Sequence, residues 1–383
     1  MTDLLDLPTP AALVDLDTLQ RNCRRMAEKA TRLGVRLRPH VKTHKCPRIA
    51  QMQVQGHFGG ITVSTLAEAR TMADAGFRDI TYAVPLAPQR ATEAAGFATR
   101  VDVFNVLVDS AEAIAALIAV PSATLSAAKA PLGVFLKVDC GYHRAGVDPL
   151  SPRAIELARR LHEAPHLRFE GLLTHAGHAY SARDPAGILA VAEIEAAVPA
   201  RLATTLRELG IPVPHVSVGS TPTMAVAEHL PGVTEIRPGN YVFFDDYQLA
   251  IGSCRPEDRA FSVLTTVVGC YPERSQLVVD AGALALSKDR GAGHAARPTP
   301  GFGSIVHAVT NQPVAELALT SLSQEHGVIQ PLDDAEVDLE SFPVGTRLRI
   351  FPQHSCLAAA QHPAYHGVRD GVLLAHFEPC RGW

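Results

Sequence analysis

The sequence predicts an α/β protein, a (β/α)8 barrel followed by a mostly antiparallel β-domain, on three observations. Between about residue 36 and residue 240, short β-branched runs alternate with alanine-rich segments of helical spacing, the pattern of a parallel sheet. Eight such runs in roughly 200 residues is the arithmetic of a closed barrel. After residue 250 the helical spacing gives way to β-runs broken by Gly and Pro turns, which reads as antiparallel sheet. At 383 residues the chain exceeds what one core supports, so a second, smaller domain is expected.

Taken in order, the barrel strands are read in VRLRPHV, GGITVST, DITYAV, VDVFNVLVD, LGVFLKVD, LRFEGLLTH, HVSVGS and VTEIRP. Helices fall between them. In STLAEARTMADAG, Ser64 or Thr65 is placed to cap a helix and Gly76 to stop it. The barrel is expected over residues 20–250. Residues 251–383, joined by an N-terminal strand from residues 1–19, form the β-domain through FSVLTTVVGCYP, SQLVVDAGALALS, VGTRLRIFP and VLLAHFEP. The glycine-rich stretch KDRGAGHAARPTPGFGS, Lys288 to Ser304, reads as a loop.

Composition narrows the partners. With 47% hydrophobic residues, 19% charged residues and a net charge of -4, no charge excess is present to hold nucleic acid or an anionic membrane. Small polar molecules are the expected ligands. The acidic start MTDLLDLPTP lacks the basic region of a signal peptide, and no apolar run reaches membrane-spanning length. Seven scattered cysteines without a CxxC pair suit reduced thiols, so a cytoplasmic protein is expected.

Barrel active sites are built at the C-terminal ends of the strands. His40 and Lys42 follow the first strand in RLRPHVKTHK, where alternation would point both to one side and strip water from the Lys42 ammonium. Such an amine can form a Schiff base. Taken alone, a lysine there is more often a solvated side chain. In VGSTPTM, Gly219, Ser220 and Thr221 precede a helix, a turn whose N–H and hydroxyl groups suit a phosphate or an ordinary helix cap. A lysine for an aldehyde and a cup for a phosphate together suggest pyridoxal phosphate. In PQHSC, His354 and Cys356 are separated by one residue at the end of TRLRIFP; if the strand persists, both face one side and can hold an ion such as Zn²⁺. An isolated HxC pair is more often a buried cysteine beside a surface histidine. His175 and Tyr180, in HAGHAY after the sixth strand, are placed to contact a cofactor or to form a structural network.

With these residues in view, the chain resembles the alanine racemase-like, fold-type III pyridoxal phosphate enzymes. Within them it is similar to the family of D-serine dehydratase, D-threo-3-hydroxyaspartate dehydratase and D-threonine aldolase. The resemblance runs through TPAALVDLDTLQRN, RPHVKTHK, ITVSTLAEA, THAG, VSVGSTPT, EIRPGNYVFFD, VVDAG, SQEHG and PQHSC. It implies that Lys42 is the Schiff-base lysine and that Gly219, Ser220, Thr221, Gly239 and Asn240 hold the phosphate. Tyr180 would stand near the cofactor, and either Arg144 or Arg237 would face the pyridine nitrogen, keeping it unprotonated. It also implies a homodimer with active sites near the subunit interface. The dehydratases present His-x-Cys, as here, whereas the aldolases present His-x-Asp. The expected activity is therefore metal-assisted dehydration of a D-3-hydroxy amino acid, D-serine or D-threo-3-hydroxyaspartate, with Zn²⁺, Mn²⁺ or Co²⁺ on His354 and Cys356. The alternatives are a D-threonine aldolase and a non-catalytic pyridoxal phosphate-binding homeostasis protein.

Overall fold

The computed structural model describes residues 3–121, 123–124, 128–332 and 335–383. The chain packs as two units. One comprises Arg25–Tyr180 and Ala186–Gly239 with Cys380–Trp383; the other comprises Met1–Arg24, Ser181–Pro185 and Asn240–Pro379.

After β1 (Ala11–Asp15), which belongs to the second unit, come eight parallel strands: β2 (Arg36–Leu37), β3 (Ile61–Val63), β4 (Asp79–Pro85), β5 (Val103–Val108), β6 (Leu132–Lys137), β7 (Leu167–Leu173), β8 (His215–Val218) and β9 (Glu235–Ile236). All eight expected strands are present. They pair in the order β2-β9-β8-β7-β6-β5-β4-β3. A parallel bridge between His40 and Thr62, with the Thr62 N–H donating to the Pro39 carbonyl at 2.9 Å, links the last strand of that path to the first. Strands such as β6 are buried along their whole length, which is why they read as continuous apolar runs and not as alternation. Local chemistry sets the helices between them. Thr65 caps Leu66–Asp74 by accepting the Glu68 N–H at 3.0 Å, and Gly76, at φ +98°, supplies the left-handed turn that ends it.

β2 and β9 pair over two residues each. Their seam is reinforced by Arg38, whose Nε donates to Glu235 at 2.7 Å while its Nη1 donates to Asp79. Arg38 and Glu235 are buried, at 3% and 1% exposure, so neither charge has water to fall back on.

The second unit is the expected β-domain. Its strands are β1 with β10 (Phe261–Tyr271), β11 (Gln276–Val279), β12 (Gly303–His307), β13 (Leu317–Leu322), β14 (Gly327–Pro331), β15 (Arg347–Pro352), β16 (Tyr365–Arg369) and β17 (Val372–Phe377). The order is β13-β14-β11-β10-β1-β16-β17, with β15 on β10 and β12 on β15. β1 lies antiparallel to β10 and parallel to β16, so the N-terminal strand is part of this sheet. Phe243, Phe261 and Tyr365 form its aromatic core, with ring centroids 5.3 to 6.0 Å apart. Residues 240–250 pack with this unit because Asn240 and Asp245 bond to Ser355 and the Tyr247 N–H donates to the Gln353 carbonyl at 3.0 Å.

The Arg38 pair gives a stability test. Glu235→Ala leaves the buried guanidinium with Asp79, a part-exposed carboxylate, as its remaining ion-pair partner and is expected to destabilise the fold by about 3–5 kcal/mol, read as a lowered urea midpoint. A change below about 0.5 kcal/mol, the scale of an ordinary surface substitution, would show that the seam does not depend on the pair.

Candidate active site

The barrel unit gathers several of the expected residues at the C-terminal ends of its strands, although not in the geometry that alternation predicts. Pairing stops at His40, and Val41–Thr43 form a 3-10 turn in which the Val41 carbonyl accepts the N–H groups of His44 at 3.2 Å and Lys45 at 2.7 Å. His40 and Lys42 are therefore not two rungs of one strand face. The half-buried His40 ring takes the Lys42 N–H at 3.4 Å, and the Lys42 side chain is exposed, not desolvated by the protein. The turn is well anchored. Lys45 pairs with the fully buried Glu68 at 3.0 Å, and the Cys380 N–H donates to the Lys45 carbonyl at 2.8 Å.

Positive charge dominates this end of the barrel. Burial, followed by the charges of Lys42 and Arg237, holds His40 well below the ordinary histidine range. Burial, followed by Lys42, Lys137, Arg144 and Arg237, does the same to His175. Both rings are accordingly neutral at pH 7. Lys137, the last residue of β6, is 5% exposed, and burial with Arg237 and Arg144 lowers its pKa to about 7. Sequence reading passed it over. The signal was a lysine at the C-terminal end of the otherwise apolar run LGVFLKVD.

The two candidate arginines differ sharply. Arg237 is buried, its Nε donating to Ser217 Oγ at 2.8 Å and its Nη2 to the Thr174 carbonyl, and burial lowers its pKa to about 10. Arg144 is exposed and lies over the Tyr142 ring at 5.1 Å. The Tyr142 ring also meets His175 edge-on at 6.4 Å. Tyr180 is half-buried in the turn Gly177–Ser181.

Gly219, Ser220 and Thr221 follow β8 as expected. Gly219 sits at φ +103°, where a Cβ would come within 3.3 Å of the Arg237 nitrogen, so the turn requires glycine. Ser220 caps the helix Thr221–Val226 in a reciprocal box with Thr223. Glu195, fully buried, ties this turn to the segment after β7 by accepting Thr223 Oγ1 at 2.7 Å and the Ala176 N–H at 2.8 Å. A Cβ on Gly239 would stand 2.8 Å from the His40 carbonyl, so the backbones of these two segments approach closely. Asn240 is the exception. Its amide does not join this turn but donates to Asp245 at 2.7 Å, Ser355 Oγ at 2.9 Å and Cys356 Sγ at 3.5 Å.

In the second unit the strand does not persist through PQHSC. β15 ends at Pro352, His354 is the N-cap of a short helix, Ser355–Ala359, and the Ser355 N–H is drawn to Asp245 at 2.9 Å. The imidazole and thiol still meet, because the helical turn brings Cys356 back toward His354. Burial opposes charge on His354, but hydrogen bonds to Asp289 and Cys356 outweigh it and raise its pKa well above the ordinary value. Its Nδ1 lies 3.0 Å from Asp289 Oδ2. Among the described residues no group of three or more His, Cys, Asp or Glu side chains is arranged to hold a metal. Imidazole and thiol, with a carboxylate on the far ring nitrogen, nevertheless form a donor set that suits a borderline divalent ion.

A parallel barrel with a lysine, a glycine-bound turn and buried arginine at its strand ends, joined to a β-domain, defines an alanine racemase-like protein of the pyridoxal phosphate-dependent class. Residues 14–246 match the family model for the alanine racemase N-terminal domain, and residues 260–368 match that for a putative serine dehydratase domain. The chain belongs to this D-serine dehydratase-type family. It is 42% identical to the D-threo-3-hydroxyaspartate dehydratase of Delftia sp. (strain HT23) over 99% of both chains. The structure of that enzyme superposes with a TM-score of 0.94 over 100% of both chains at 41% identity, and a metal-free cysteine-to-alanine variant of it matches equally well, at 40% identity. D-serine dehydratase of Dictyostelium discoideum is 37% identical over 100% of this chain and 98% of that one. A D-threonine aldolase of Arthrobacter sp. is further away, 30% identical over 97% and 91% of the two chains.

The lowered pKa of Lys137 is open to measurement. After reductive ¹³C-methylation, one lysine resonance is expected to titrate at about 7, and to vanish in Lys137→Met. If every methylated lysine titrates near its ordinary value of about 10.4, Lys137 is not desolvated as described.

Proposed function

We propose that this chain is a pyridoxal phosphate- and metal-dependent dehydratase of D-3-hydroxy amino acids, releasing a 2-oxo acid and ammonia. D-Serine would give pyruvate, and D-threo-3-hydroxyaspartate would give oxaloacetate. The observation that carries the reading is the His354 and Cys356 pair, with its Asp289 partner, in a chain that is 42% and 37% identical to two dehydratases. An aspartate in place of Cys356 would resemble the aldolases instead.

The barrel fits the cofactor on its own evidence. Burial is the first cause that depresses His40 and His175; the charges of Lys42 and Arg237 add to it at both rings and those of Lys137 and Arg144 at His175, and a phosphorylated, anionic ligand would balance this cationic group. Lys42 would hold the cofactor aldehyde, and the turn Gly219–Ser220–Thr221 with Gly239 would take the phosphate. Arg237, held by Ser217 and Thr174, is assigned to the pyridine nitrogen; a fixed cation there disfavours protonation of the ring. Arg144, exposed on Tyr142, is left for the substrate carboxylate. His40 and His175, both neutral, would line the cofactor together with Tyr180 as hydrogen-bonding groups.

When bound, pyridoxal phosphate supplies an electron sink for the α-carbon and the metal supplies a Lewis acid for the departing β-hydroxyl. The amine of Lys42 would accept the α-proton of the substrate. His354 and Cys356 would hold the ion, and Asp289 would fix the histidine tautomer by accepting from Nδ1. Imidazole with thiolate favours Zn²⁺, with Mn²⁺ or Co²⁺ as the other candidates.

We also assign a homodimer, supported by the exposed apolar side chains of Leu284 and Leu357 on the neighbouring helices Ala283–Leu286 and Ser355–Ala359. A cytoplasmic location is supported by seven cysteines, none of which is in a disulfide among the described residues. Among the described residues no helix is long and apolar enough to cross a membrane.

Incubation with D-serine, D-threo-3-hydroxyaspartate and D-threonine, assaying 2-oxo acid, ammonia, glycine and aldehyde together, tests the reading. Equal oxo acid and ammonia, abolished by a chelator, is expected. Glycine and acetaldehyde without ammonia would make the enzyme an aldolase, and no turnover at all would revive a homeostasis protein. Lys42→Ala is expected to lose both turnover and the visible absorbance of the cofactor-loaded protein; a retained band would assign the cofactor to another lysine.

A further inference from the structure

The proposed ligand pair has a second carboxylate behind it, this one buried, and the proposed reaction gives that carboxylate no role. Asp245 is 1% exposed. Its Oδ2 accepts from Asn240 Nδ2 at 2.7 Å, from the Ser355 N–H at 2.9 Å and from Ser355 Oγ at 3.0 Å, while its Oδ1 accepts the Gln248 N–H at 3.0 Å. A carboxylate offers about four lone-pair sites, so little of Asp245 is left to ligate anything itself. What it does is hold the residue between the two ligands. Ser355 is fully buried, and both its N–H and its hydroxyl end on one oxygen.

Asn240 completes the clamp. The same amide nitrogen that meets Asp245 also reaches Ser355 Oγ and Cys356 Sγ. A carboxylate can only accept, so the nitrogen end of the amide must face Asp245, and the opposite oxygen is left buried without a partner. Leaving that oxygen unsatisfied costs free energy, which the donors on the other end have to offset. His354 is steadied from its other side by Asp289. Each ligand thus has its own outer carboxylate, directly for the histidine and through Ser355 and Asn240 for the cysteine.

We infer that Asp245 is a positioning residue that, through Ser355 and Asn240, fixes Cys356 relative to His354 and so sets the affinity of this pair for a divalent metal. The inference rests on the assignment of His354 and Cys356 as metal ligands. Outer-shell partners of this kind change metal affinity by about 10–100-fold when removed. The negative charge of Asp245 acts in the same direction, since an anion near a cation site strengthens it.

The test measures Zn²⁺ affinity by competition with a chromogenic chelator and thiolate coordination by the sulfur-to-metal absorption of the Co²⁺-loaded protein, in wild type, Ser355→Ala, Asp245→Asn and Cys356→Ala. Ser355→Ala and Asp245→Asn are expected to weaken Zn²⁺ by about 10–100-fold and to diminish the Co²⁺ band, with the cofactor absorbance kept. Ser355→Ala spares the cap that Asp245 places on helix Asp246–Ala250, so it carries the test if Asp245→Asn fails to fold. A merely structural role would lower the melting temperature and leave the Zn²⁺ affinity and Co²⁺ band of the folded protein unchanged, and that result overturns the inference. If Cys356→Ala binds Zn²⁺ as tightly as wild type, the ligand assignment falls, and this inference with it.

Discussion

A guanidinium sealed inside a barrel has to be neutralised, and at Arg38 that requirement closes the fold. The seam between β2 and β9 has few ladder bonds, with the Arg38 N–H to Ile236 at 2.9 Å and the His40 N–H to Pro238 at 3.0 Å among them. The Arg38 side chain adds what the short strands lack, reaching Glu235 on one neighbour and Asp79 on β4. The effect continues upward. Glu235 accepts from Ser217 Oγ at 2.7 Å, and that hydroxyl in turn accepts from Arg237 Nε at 2.8 Å. One carboxylate therefore sits between the arginine that closes the barrel and the arginine at its functional end. Because both guanidinium groups are buried and share it, the orientation of Arg237 is as well determined as the seam itself.

The two units prepare opposite electrostatics from the same inventory of side chains. In the barrel unit, Lys42, Lys137, Arg144 and Arg237 act together on His175 after burial, and the buried Glu195 and Glu235 offset only part of that charge, at Lys137 and Arg237. Holding that surplus costs free energy in the absence of a ligand and favours an anionic one, with little reorganisation left to do on binding. In the β-domain unit the surplus is negative. Asp289 is hydrogen-bonded to the His354 imidazole, the Cys356 thiol meets it and the charge of Asp245 acts on it, an arrangement that would favour a cation. Anion and cation are thus sorted by unit before any ligand arrives.

Much of this was legible in the sequence, and the failures share a cause. The eight strand runs were readable because strands buried on both faces leave continuous apolar tracts between helical segments. Where each strand stops was not. VRLRPHV and VTEIRP each reduce to two paired residues, since Pro39 and Pro238 offer no N–H to continue the ladder. The same early stop put Lys42 on a turn, and the stop at Pro352 put His354 and Cys356 at a helix start. Periodicity assigns faces only while an element lasts, and these residues lie just beyond its end. Lys137 escaped for the opposite reason. It belongs to a strand so apolar that its charge drew no attention, and only the packing around it reveals the lowered pKa.

Asp289 and Asp245 show what a motif of two ligands leaves unsaid. Asp289 comes from the glycine-rich stretch that carries no periodicity, 65 residues from the histidine it serves, and Asp245 lies 110 residues from Ser355. The loop fixes Asp289 locally, since the Gly291 N–H donates to its Oδ1 at 2.8 Å, leaving Oδ2 to accept from His354. That hydrogen bond, the first cause of the lowered Asp289 pKa, also orients the imidazole, whose other side meets Cys356. A histidine and a cysteine at this spacing, without such partners, would have neither a fixed tautomer nor a fixed thiol. The competence proposed for the pair therefore resides as much in positions 245 and 289 as in 354 and 356, and spacing alone is a weak predictor of a metal site because it records only the second set.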